Sequence, residues 1–149
     1  MNTKSSKEVR FPFSTIMPVR ITDINYGMHL GHIATAGIFH NARVLFMTTN
    51  GFEDMNIDGV GLILLNSQYS FKSEATFNTN LLVNVAVDNI SKLKFNFIYQ
   101  ALNHNTGVVI SEGREEFSCF DYTKRKITRI PARFLEFCKM NQNHATNIK

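Results

Sequence analysis

The sequence has no tryptophan, only two cysteines and three prolines among its 149 residues. Cys119 and Cys138 are too few for a disulfide framework and no CxxC pair exists. Both therefore read as buried thiols of a reducing compartment. No apolar run approaches the ~18 residues of a membrane span. The polar opening from Met1 to Glu8 lacks the apolar stretch of a secretion signal, which predicts a cytoplasmic protein. Internal repeats, low-complexity blocks and linkers are likewise missing. Charge is sparse: the net value is +4, and the one dense basic group is Lys124-Arg125-Lys126, followed by Arg129 and Arg133. A nucleic-acid binder clusters far more. This group reads as a solvated turn and helix start, or as an attraction for an anionic ligand such as nucleotide phosphates. What is present is apolar: hydrophobic residues make up 44%, with thirteen Phe as core filler. A chain of this length forms one domain and buries roughly 70% of its unfolded surface.

Periodicity sets the order of elements. Residues 7–14 and 16–25 read as extended, with Pro12 and Pro18 marking an edge or a bend. In a strand over 19–25, Val19, Ile21, Asp23 and Asn25 share one face. Residues 33–50 carry Ile38, Ala42, Leu45, Phe46 and Thr49 at helical spacing and stop at Asn50-Gly51. Such a helix is about 27 Å long. Strands follow over 61–73, 81–88, 92–102 and 108–121, with a short one over 126–130. Pro131 opens a terminal helix over 131–140. A long helix with four or five antiparallel strands after it is an α+β arrangement, the helix covering one sheet face.

The densest polar stretch lies between the first strand and the long helix, in V-R-I-T-D-I-N-Y-G-M-H-L-G-H-I, residues 19–33. Asp23 is a candidate general base or nucleophile. Asn25 can donate to a developing oxyanion or hold a water. His29 is a candidate base or donor. Gly31, His32 and Ile33 sit where the helix begins, where free N–H groups and the positive end of the helix dipole polarise a carbonyl. Taken singly, an Asp or Asn before a helix is a turn or cap residue and a lone His is structural; their density favours a site. Glu53, Asp54 and Asp58, after the helix, read as solvated loop acids.

These residues, with Ile110-Ser111-Glu112-Gly113-Arg114, Phe117 to Asp121 and Ile130-Pro131, resemble the hotdog-fold acyl-CoA thioesterases of the 4-hydroxybenzoyl-CoA thioesterase type over roughly 9–138. The resemblance implies a five- or six-stranded antiparallel sheet wrapping the long helix, with a short C-terminal helix. It implies a homodimer, homotetramer or larger assembly with active sites at the subunit interface. The substrate is an acyl-CoA or acyl carrier thioester, with CoA as part of the substrate and no metal or other cofactor. Tyr69 then borders the acyl pocket, and Ser91 and Lys92 meet the nucleotide. One position departs from the pattern. Where the family has its catalytic carboxylate this chain has Asn25, and the helix holds no Asp or Glu. Thioester hydrolysis with water positioned by Asn25 and assisted by Asp23 or His29 is the leading reading. An acyl-CoA or carrier binder without turnover is the alternative. A related dehydratase is a third, whose longer motif is not seen.

Overall fold

A computed structural model describes residues 11–143. Its elements run β1 (Phe13–Pro18), a single 3-10 turn (Ile21–Asp23), α1 (His32–Thr49), β2 (Gly61–Phe71), β3 (Asn80–Asp88), β4 (Lys94–Asn103), β5 (Val109–Asp121), β6 (Lys126–Thr128) and α2 (Ala132–Met140). All strand pairs are antiparallel, in the order β1-β3-β4-β5-β2 with β6 added to β5. The expected extended segment at 7–14 lies outside the described residues up to position 10.

Alternation selects the inner face of the sheet. Leu81, Val83, Val85 and Val87 of β3 and Phe95, Phe97, Tyr99 and Ala101 of β4 are buried in two parallel rows. Against them lies α1, through Thr35, Ile38, Phe39, Ala42, Phe46 and Met47, at the spacing of one helical face. Its rings reach several strands: Phe39 stacks on Tyr99 at 4.8 Å, and Phe46 stacks on Phe13 at 5.1 Å. Leu45 and Thr49, though at helical spacing, face outward. Asn50 and Gly51, the latter at φ 80°, end the helix as expected. Helix α2 closes the far end of the core: Phe134 and Phe137 pack on Phe52, and Phe137 on Phe46. Burial of each such ring stabilises by roughly 1.5–3 kcal/mol. Cys119 and Cys138 are both buried here as free thiols.

One expectation fails. Of the expected extended segment 16–25, residues 16–18 belong to β1 and residues 19–25 do not continue the strand. The ladder with β3 ends at the Pro18–Asn80 pair, and Asp23 then takes over the local hydrogen bonding. Its Oδ2 accepts the Arg20 backbone N–H at 2.8 Å, which tightens Ile21–Asp23 into a 3-10 turn. A carboxylate three residues ahead offered the backbone a better partner than the sheet did. Asp23 and Asn25 therefore do not share a strand face.

Candidate active site

Asp23 is 5% exposed, and Arg20 grips it from the side. The guanidinium reaches both oxygens, Nε to Oδ2 at 3.2 Å and Nη2 to Oδ1 at 3.0 Å. Burial alone would push this carboxyl up; the side-chain and backbone hydrogen bonds from Arg20 outweigh it and hold the group below its ordinary 3.8. The Asp23 carbonyl oxygen accepts the Gly31 N–H at 3.0 Å. Asp23 thus builds the junction, and Gly31 is not one of the free donors. The N–H groups of His32, Ile33 and Ala34 remain without intrahelical partners, because the first helical bond is Thr35 N–H to the Gly31 carbonyl.

Asn25 lies against this helix start. A β-carbon placed on Gly31 would sit 3.4 Å from the Asn25 β-carbon. Its Oδ1 accepts from the N–H of Gly27 at 2.9 Å and of His29 at 3.5 Å. Two backbone donors fix the amide's orientation, so Nδ2 is the end left to donate. The His29 Nδ1 lies 3.3 Å from the Leu30 carbonyl oxygen. A proton on Nδ1 satisfies that carbonyl and leaves Nε2 as the lone-pair nitrogen. Nε2 is 3.6 Å from Glu74 Oε1. A β-carbon on Gly27 would come within 2.9 Å of His29 Nε2 and 3.2 Å of Asn25 Oδ1, so a side chain there would push the His29 ring aside. The structure therefore gathers Asp23, Asn25, His29, His32 and Ile33. Ser91 and Lys92 stand elsewhere, in the β3–β4 turn. There Ser91 Oγ accepts the Lys94 N–H at 3.1 Å, and the Lys92 carbonyl accepts the Ile130 N–H at 3.1 Å.

One helical turn further along α1 a cleft of about 420 Å³ opens. Ala36, Gly37 and His40 form its helical rim, one face with His32 and Ile33 by helical spacing. Leu62, Leu64 and Phe117 supply apolar wall. Polar groups make the floor. Glu115, 5% exposed, accepts the Tyr69 hydroxyl at 2.6 Å on Oε1 and the Tyr99 hydroxyl at 2.5 Å on Oε2. Both phenols are pushed well above their ordinary value, by burial first and by the Glu115 charge and hydrogen bonds after it. Each therefore keeps its proton and donates. Arg43, also 5% exposed, binds Asp54 Oδ1 through Nη1 at 2.7 Å and lies 4.7 Å above the Phe117 ring. Its Nε has no hydrogen-bond partner among the described residues.

This floor is largely absent from the sequence reading. Of its residues only Tyr69 is singled out there as a site residue, and it lines the cleft. Asp54, read as a solvated loop acid, is instead the counter-ion of Arg43, and Asp58 pairs with Arg133 at 2.8 Å. Two signals were available. Arg43 sits on the apolar helix face with Phe39 and Phe46, and Glu115 shares the inward row of β5 with Phe117 and Cys119. A charge on a core row needs a partner or a ligand.

The thioesterase-like superfamily model matches residues 19–138. The chain belongs to the thioesterase-like superfamily. Several solved structures share its shape. A 1,4-dihydroxy-2-naphthoyl-CoA thioesterase from Synechocystis is 17% identical with a TM-score of 0.78, over 85% of this chain and 95% of that one. A probable thioesterase from Escherichia coli, YbaW, is 14% identical with a TM-score of 0.75, over 87% and 98%. A DHNA-CoA thioesterase from Staphylococcus aureus is 20% identical with a TM-score of 0.73, over 85% of each. At these identities the likeness is one of fold, and the fold is the hotdog arrangement of the thioesterase-like superfamily. No curated protein sequence matches the chain.

Proposed function

We propose that this thioesterase-like protein hydrolyses an acyl-CoA or acyl-carrier thioester, with His29 as the base. The reading rests on the free N–H groups of His32 to Ala34, on the Asn25 side chain packed against Gly31, and on the His29 ring beside the Asn25–Gly27 turn. Solved neighbours described as acyl-CoA thioesterases, among them one for gentisyl-CoA, support the substrate class. The thioester carbonyl oxygen lies at the N–H groups of His32 to Ala34. Water attacks the carbonyl carbon while His29 Nε2 takes its proton, and the helix start holds the oxyanion. Asn25 Nδ2 donates to the same oxygen or to the attacking water. The tetrahedral adduct collapses, the C–S bond breaks, and the imidazolium returns the proton to the thiolate. The acyl group extends along α1 into the cleft. Asp23, expected as an assisting charge, is committed to Arg20 and acts by position. The reaction uses water and side chains, CoA entering as part of the substrate.

Two further parts of the reading concern the surroundings. Lys92, exposed on its turn, meets the CoA phosphates, with Ser91 shaping the turn. The protein works as a homodimer or larger assembly: β2 is a sheet edge whose Leu64, Leu65 and Phe71 are 49%, 37% and 56% exposed, an apolar edge that a second copy would cover. Thiol release from a panel of acyl-CoAs tests the reaction; no release above background for any member would end it.

The second reading, binding without turnover, is favoured by one observation, the amide at position 25. Tight acyl-CoA binding with no hydrolysis, and activity gained in Asn25→Asp, would select it.

A further inference from the structure

We propose that the cleft beside α1 takes the far end of an acyl group bearing a hydrogen-bond donor, a hydroxyl or an ammonium, and turns away alkyl and carboxylate ends. This rests on the thioester reading of the helix start and adds the substrate class.

The floor of the cleft is the reason. Arg43 and Asp54 neutralise each other at 2.7 Å. Glu115 has no such partner: among the described residues no Lys, Arg or His nitrogen lies within 4.0 Å of its carboxylate. Two phenols hold it, one on each oxygen. Each oxygen of a carboxylate has two lone-pair sites, so each keeps one unused. The phenols keep their protons and stay donors to Glu115. The buried residue is a net negative floor with open acceptor sites. An alkyl end pressed against it would strip water from Glu115 and return nothing. A carboxylate end would meet like charge. A hydroxyl or ammonium end donates to Glu115. The distance fits a short chain. Ala36 to His40 lie about 6–12 Å along the helix from His32, at ~1.5 Å per residue. The mouth is open because Gly37 has no side chain and nothing lies within 4 Å of where one would start.

The test uses the full chain and four CoA thioethers that cannot be hydrolysed: hexyl-CoA, ω-hydroxyhexyl-CoA, ω-aminohexyl-CoA and ω-carboxypentyl-CoA. Calorimetry is expected to find the hydroxy and amino compounds on the order of tenfold tighter than the other two, the size of one hydrogen bond to a charged group. In Glu115→Gln the amino preference should fall to within threefold of hexyl-CoA. Gly37→Leu, on the exposed helix rim, should weaken the hydroxy and amino compounds about tenfold by filling the mouth. It also serves if Glu115→Gln does not fold. Equal affinity for all four thioethers would overturn the proposal. So would an amino preference unchanged in Glu115→Gln, or Gly37→Leu binding like the wild type. Thiol release from hexanoyl-CoA and ω-hydroxyhexanoyl-CoA is measured alongside. Release without the thioether preference sinks the proposal alone; preference without release sinks the hydrolytic reading alone.

Discussion

Tyr69 and Tyr99 are cross-strand neighbours of one residue, Gly113, from opposite sides. Both lean along their strands to the same carboxylate two positions on, one to each oxygen of Glu115. Between them Phe39 descends from α1 to ring distances of 5.9 Å and 4.8 Å. The absent side chain at Gly113 makes room for that ring.

Gly113→Ala tests the packing. The added β-carbon would meet Phe39 Cε2 at 2.9 Å and Tyr69 Cδ1 at 3.0 Å, and the Phe39 ring is fully buried between α1 and the sheet. Urea unfolding is expected to show a loss of about 1–3 kcal/mol, the usual cost of overpacking. Stability equal to the wild type would mean the two rings move freely.

Tyr99→Phe leaves one oxygen of Glu115 buried without its donor. A charge-assisted hydrogen bond is worth about 1.5–3 kcal/mol, and a loss of that order is expected at pH 7. The pH profile gives a second check. The Tyr99 phenol is raised in the folded state above its ordinary 10.0. Its contribution is whole below pH 10 and is lost as the pH climbs from there through the folded value. The wild type should weaken on that alkaline limb, and Tyr99→Phe should weaken less steeply.

Asp23 predicts the opposite limb. Its carboxyl is held below 3.8, so it contributes above that value and fades as the pH falls through the folded one. Asp23→Asn should unfold more easily at neutral pH and lose part of the wild type's dependence on pH below 4. It should also lower kcat by loosening the helix start. Full stability with full activity would remove Asp23 from the junction.

Kinetics separate the roles assigned around the helix start. His29→Ala is expected to reduce kcat on thioester substrate by ~10²–10⁴ with little change in KM. Asn25→Ala should cost ~10²–10³ in kcat if its amide donates to the oxyanion. Lys92→Ala should raise KM and spare kcat. A His29→Ala enzyme with wild-type kcat would exclude that residue as the base.

The exposed edge of β2 gives a prediction on assembly. Leu65→Lys places a charge on a 37% exposed position of that edge. Light scattering should find the wild type dimeric or larger and the variant shifted toward monomer. A monomeric wild type would remove the interface.

Where the sequence spoke clearly, simple periods were at work. The alternation in β3 and β4, the helix stop at Asn50-Gly51 and the Pro131 step into α2 each follow from a local rule, and each stands within a residue or two in the fold. The 19–25 part of the 16–25 segment misled because its alternation was real in sequence but weaker than the grip of Asp23 on the Arg20 backbone. At the helix start the polar residues were legible and the bonds among them were not: that Gly31 is spent on Asp23, and that Asn25 offers its nitrogen, depends on atoms. The cleft floor was harder still. Arg43, Asp54, Tyr69, Tyr99 and Glu115 come from α1, the loop after it and three strands, and no spacing rule joins them.

The two cysteines carry a practical consequence. Cys119 in β5 and Cys138 in α2 are fully enclosed; burial pushes Cys119 up to about 12 and Cys138 higher still. A thiol reacts as its anion, so neither side chain competes for a disulfide dye while the chain is folded. The protein is therefore colourless toward the reagent that would report free CoA, and any dye consumed at neutral pH comes from the reaction or from unfolding. The rise of signal in a substrate-free control then becomes a direct count of molecules that have opened.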